Sequence, residues 1–299
     1  MSIEFKTNPE DEPKFRERYK EYYDYLRPLG DVFASYGAYH IKVEPKAGTF
    51  YFDHRNRTIY ISPRLIEELQ LEREEQKFIF LHELGHLIQL FQDPDAYLRS
   101  FSIPREISER ESDPYLKEAL QKAYRHFFNV FFDIHDNSII IQRMPIYQEE
   151  RGREISKTLY QQKAFPKLDY SDLPYSTQFL YYLLRRIMVP DEEIVISQEV
   201  REVIQERISF FGTEYESIED FVREEIFNPH KTIDDVMFIL KEFLLPIYEE
   251  LIKKDIEEGR IQNIPDFIGE INIDEGLDED AIKRITESIK EGQKSAEDR

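Results

Sequence analysis

The chain has 299 residues, a formal net charge of −21 and 40% hydrophobic side chains, among them 22 Phe and 19 Tyr. That apolar content is ample for a packed core and sets the chain apart from disordered sequences, while the acidic excess argues against a nucleic-acid surface, which needs clustered Lys and Arg. The absence of Cys excludes disulfides, thiolate zinc sites, iron–sulfur clusters and a Cys nucleophile.

The opening residues, MSIEFKTNPEDEPKF, lack the basic-then-apolar order of a signal peptide. The most apolar window, residues 78–91, is interrupted by His82, Glu83 and His86, well short of the ~20 apolar residues a membrane span needs. A cytoplasmic protein with no membrane partner is expected. The acidic excess falls mostly after residue 145, and of the seven His only His230 lies beyond residue 135.

In chain order, residues 40–43 (HIKV) predict a short strand. Residues 49–62 (TFYFDHRNRTIYIS) predict a hairpin around the turn His54-Arg55-Asn56-Arg57, because two β-branched and aromatic runs flank a polar tetrapeptide. Pro63 then stops strand pairing. Residues 72–91 carry apolar groups at helical spacing and end at Asp93-Pro94, where proline resists continuation. Ser112-Asp113-Pro114 offers a capping side chain followed by proline at the first turn, which predicts a helix running to Met144-Pro145. Further helices are expected over residues 176–189, 199–211, 217–227 and 233–254. Only 10 Gly and 15 Pro favour long helices over a many-turned β fold.

The expected class is therefore α+β and predominantly helical, with a small β hairpin packed on the helix at 72–91. The expected organisation is a core over residues 1–145, a helical subdomain over 146–273 and an acidic tail over 274–299 that forms one short surface helix.

Residues 82–86 read HELGH, an HExxH pattern inside the apolar helical segment FIFLHELGHLIQLF. A helix sets residues i and i+4 on one face with Cβ atoms roughly 5–6 Å apart, so both imidazoles can reach one cation. Glu83 stands roughly 100° further round, where it can meet a water on that cation without ligating it. Zinc lowers the pKa of such a water towards ~7, and Glu83 would take its proton as general base. Two His and a Glu interrupting an apolar helix would be costly to bury without partners.

His82, Glu83 and His86 resemble the zincin superfamily of zinc metallopeptidases, over about residues 49–145. The resemblance implies one zinc per chain held by His82 and His86, with Glu83 as general base. It also implies a strand and the motif helix on one side of a cleft, and a third ligand from a second helix. The strand-like TIYIS before the motif helix fits that order. The metzincin extension HExxHxxGxxH is absent, since Gln89 and Gln92 occupy the positions of its Gly and third His.

The third ligand must come from elsewhere. Glu106, Glu109 and Glu111 lie in the loop-like REISERESD. The helix after it carries Asn129, Asp133, Asp136 and Asn137 in one polar stripe, with His126 and His135 nearby. Such a stripe is either a solvated face or a ligand face, and Asn and Asp are poor helix formers. FNVFFDIHDN is also similar to the N-x-x-x-D helix that follows HExxH in some little-characterised bacterial metallopeptidases, in which the Asp is the ligand. Asp133 is thus the preferred third ligand, with Asn129 as its hydrogen-bond partner. Glu106, Glu109, Glu111, Asp136 and His135 stay open as alternatives.

His40, His54 and His230 have no ligand-spaced neighbours and are expected at surface or turn positions. Tyr147 and Arg143 are candidates for stabilising the transition state. The apolar stripe of residues 236–247 is expected as core, and Arg185-Arg186 is too small a basic patch for nucleic acid. Three functions fit: a zinc peptidase acting on peptide or protein substrates, a non-catalytic zinc-held module binding a protein partner through its helical carboxy-terminal half, and a zinc hydrolase of a non-peptide amide. The intact Glu83 favours catalysis, because a structural ion has no use for a base beside it.

Overall fold

A computed structural model describes residues 20–22, 24–26, 39–45, 47–143, 147, 150–164, 167–264 and 279–297. The fold is α+β and predominantly helical, as the sequence predicts, with short strands in two small sheets. The chain forms two compact units, Met1–Asp95 with Ile268–Arg299 and Ala96–Phe267. No helix among the described residues is long and apolar enough to cross a membrane.

In the first unit, strands β1 (His40–Val43), β2 (Tyr51–Asp53) and β3 (Thr58–Ile61) form a sheet in the order β1-β3-β2. The expected hairpin is β2–β3, antiparallel with Tyr51 opposite Tyr60, and β1 joins β3 in parallel with Ile41 opposite Ile59. Its turn is held by Asp53, whose carboxylate accepts from the backbone N–H groups of Arg55 and Asn56 and from Asn56 Nδ2. This short-side-chain turn lets Arg57 adopt a φ of 50°. The central strand β3 is buried along its whole length.

Pro63 does more than stop the strand. It opens helix α1 (Pro63–Glu68), for which Ser62 is the cap, its Oγ accepting from Leu65 N and donating to Ala47 O. Helix α2 (Arg73–Gln92) carries HELGH and packs on β2 and β3. Its first turn is closed by Glu75, which accepts from Glu72 N, and it ends before Pro94. Every residue from 83 to 91 is buried, so this part of α2 has no solvated face. The acidic tail does form a helix, Glu279–Glu297, with Ile282, Thr286 and Ile289 on a buried stripe.

The second unit begins within α3 (Pro94–Ser100) and contains α4 (Ile103–Ser108) and the 30-residue α5 (Pro114–Arg143). Asp113 caps α5 through Oδ1, which accepts from Tyr115 N and Leu116 N. From residue 123 to 140 every position of α5 is buried except Arg125, which is half-buried. It packs against α4 and against α7 (Tyr175–Met188), which follows α6 (Glu150–Thr158) in the chain.

The N-terminus of α7 is capped from a distance. Asp255, on α11 (Leu245–Glu257), is fully buried and accepts from Tyr175 N, Ser176 N and Ser176 Oγ at 2.6, 2.9 and 2.6 Å. Arg185 is buried in an ion pair with Glu192, and Arg186 pairs with Glu219, so the dibasic step offers no free patch.

The helix expected over residues 199–211 is corrected. Helix α8 (Gln198–Ile204) stops early and is followed by an antiparallel hairpin, β4 (Ile208–Phe210) and β5 (Thr213–Tyr215). The two-residue turn Phe211-Gly212 takes φ values of 47° and 87°, the paired left-handed conformation that suits a tight hairpin. Inward Ile208 and Phe210 alternate with outward Ser209, a period of two that the neighbouring helical pattern masks.

The expected helices at 217–227 and 233–254 are present with wider turns inside them. Helix α9 (Ile218–Phe221) runs into a π turn at Val222–Ile226, and α10 (Ile233–Ile239) into another at Leu240–Leu244. Pro246 explains the second, because it has no N–H to continue the regular ladder. In the expected apolar stripe, Val236, Ile239, Leu240 and Leu244 are core residues.

Candidate metal site

On α2 the His82 and His86 rings stand one helical turn apart, with centroids 4.9 Å from each other and planes at 76°. His82 is half-buried and His86 is 1% exposed. Gln89 is fully buried one turn further on, and its Oε1 lies 3.2 Å from His86 Nδ1. An amide oxygen only accepts, so this contact is a hydrogen bond in the tautomer that protonates Nδ1, the one that leaves the Nε2 lone pair available to a cation. Glu83, also buried, follows His82 on the adjoining face.

The polar stripe of α5 is not solvated. Asn129, Asp133, Asp136 and Asn137 are all buried, on a segment that also carries the buried Phe127, Phe128, Phe131 and Phe132. Asn137 of this stripe is engaged structurally, its Nδ2 donating to Tyr160 OH at 2.7 Å, and nearby His135 has its Nε2 3.2 Å from Lys231 O.

His82, His86 and Asp133 form a group that can hold a metal ion, each offering one ligand atom, with all three atoms within 4.8 Å of one another. Two imidazoles and a carboxylate match the donor set of many catalytic zinc sites. Nitrogen and carboxylate donors at this spacing suit a divalent ion such as zinc.

The alternative carboxylates have other situations. The stretch expected as a loop contains helix α4, which leaves Glu106 and Glu109 exposed. Glu109 pairs with Arg105, and Glu111 Oε1 accepts from Ser112 N and Asp113 N. His40 and His230 are exposed, whereas His54 sits in its expected turn but is buried. Tyr147 is buried, and the side chain of Arg143 lies outside the described residues.

Gln89 is the member that sequence reading missed. Its spacing of three from His86 was the available signal, because i and i+3 are neighbours on a helix. No family model, no curated protein and no solved structure matches the chain.

Proposed function

We propose that the chain is a zinc-dependent peptidase of the zincin kind, in which His82, His86 and Asp133 hold the ion and Glu83 is the general base. The observation that carries this reading is the grouping of two His and a buried Asp within ligand reach, with an acid next to His82 that the ion does not need. When bound, zinc lowers the pKa of a water towards ~7 and polarises the scissile carbonyl.

The chain's own residues supply the rest. The Glu83 carboxylate takes a proton from the attacking water as its oxygen bonds to the carbonyl carbon. It then returns that proton to the amide nitrogen as the C–N bond breaks, so the protein ends unchanged. Gln89 keeps His86 in one tautomer throughout. Burial of α2 and of the Asp133 segment favours a fixed donor geometry over one assembled on binding.

The test pairs metal analysis with hydrolysis. Purified protein is expected to carry zinc near one per chain, lost in His82→Ala and His86→Ala. Glu83→Gln keeps the size of the base but not its function, so it should retain zinc and lose peptide cleavage by a factor of about 10² or more. Full turnover in Glu83→Gln would remove Glu83 from the chemistry. A protein that binds zinc yet cleaves no peptide library, in either form, would instead be a metal-held interaction module. Recovery of iron in place of zinc would overturn the hydrolytic reading, since two His and a carboxylate also suit ferrous iron.

A further inference from the structure

Asn129 lies one turn before Asp133 on α5 and is 2% exposed, and its Oδ1 has no hydrogen-bond partner among the described residues. A carboxamide oxygen shut away from water with no donor is destabilising, and Asn is a poor choice for a helix interior. On a segment built from Phe127, Phe128, Phe131 and Phe132, an apolar residue would pack better. Neighbouring buried polar groups of α5 have found partners, as Asn137 has in Tyr160. Asn129 Oδ1 has lone pairs that only a donor or a cation can meet.

Residues i and i+4 project from the same side of a helix. That relation lets His82 and His86 share one point, and it holds equally for Asn129 and Asp133. We propose that Asn129 Oδ1 is a fourth protein ligand of the cation, so that each of two helices contributes an i, i+4 pair. This inference rests on the metal site proposed above. The donor set becomes two imidazole nitrogens, one carboxylate oxygen and one neutral amide oxygen.

The experiment measures the affinity of full-length protein for zinc alone and cobalt alone, by competition with a chromogenic chelator. Wild type is compared with Asn129→Leu, which keeps bulk and removes the oxygen. The variant is expected to bind zinc about 100-fold more weakly, the upper end of the loss seen when even an outer partner of a metal site is removed. The visible absorption of bound cobalt should change as the ion loses an oxygen donor, and the metal-free protein should melt no lower than wild type.

Wild-type affinity and an unchanged cobalt spectrum in Asn129→Leu would overturn the proposal and leave Asn129 as an orphaned core amide. Should that variant fail to fold, Asn129→Asp substitutes a charged oxygen at the same place. It is expected to bind zinc more tightly, and unaltered affinity would again overturn the proposal. His82→Ala separates the two levels. If it binds zinc like wild type, the metal site itself is wrong, whereas loss there with no effect at Asn129 removes only the fourth ligand.

Discussion

Gln89 Oε1 faces His86 Nδ1 at 3.2 Å, one turn along the same helix, with both side chains buried. The bond fixes which ring nitrogen carries the proton and therefore which can bind metal. Gln89→Leu is expected to weaken zinc binding by about tenfold, the lower end of the cost of losing an outer hydrogen-bond partner. Gln89→Glu, which restores an acceptor, should bind at least as well as wild type. Competition titration with circular dichroism as a check on folding measures both, and equal affinities across the three proteins would remove Gln89 from the site.

Asp133 is expected to behave differently with and without metal. Ligands that bind only the folded state raise its melting temperature, so zinc should stabilise wild type but not Asp133→Asn. Asp133→Asn keeps the size of the side chain, so the metal-free variant should stay folded. Scanning calorimetry in chelator and in zinc gives the comparison. A zinc-dependent rise in Asp133→Asn equal to that of wild type would place the third donor elsewhere.

Asp255 allows a pH prediction away from the metal. Burial pushes its carboxyl above the ordinary Asp value, outweighing the opposing hydrogen bonds from Ser176 and Tyr175. A group whose folded pKa is raised takes up a proton on folding as pH falls through that value. The stability of wild type relative to Asp255→Asn should therefore increase on acidification, levelling off below the unfolded value of 3.8. Urea unfolding of both proteins at several pH values reads this directly, and a difference that shrinks on acidification would show the hydrogen bonds dominate. Asp255→Ala should cost about 0.5–2 kcal/mol at low pH and less as the pH rises, because it uncaps α7.

Phe211 pays in backbone strain for a place in the β4–β5 turn, where its φ is 47°. Its ring is 83% exposed and lies near-parallel to Phe238 at 6.1 Å, a contact with little burial behind it. Asn-Gly is the favoured pair for such turns, so Phe211→Asn should stabilise the protein by about 1 kcal/mol, the scale of the left-handed penalty. A lower melting temperature in the variant would mean that the stack with Phe238 is worth more than the backbone relief.

Local signals in the sequence were enough for the β2–β3 hairpin, the two long helices and the HELGH motif. Each depends on neighbours in the chain: Asp53 folding its own turn, Asp113-Pro114 starting α5, Pro94 ending α2. The same locality made residues 199–211 misleading, because about two turns of helix and a short hairpin share apolar residues and only the Phe211-Gly212 conformation separates them. Whether the stripe of α5 is solvated or buried was beyond the sequence, since a helical face shows which residues lie together but not what covers them. The chain alone also could not choose among Asp133, the Glu residues of α4 and its flank, Asp136 and His135. That choice depends on distances between segments some twenty to fifty residues apart, and such distances are set by how apolar surfaces pack, which no spacing along the chain encodes.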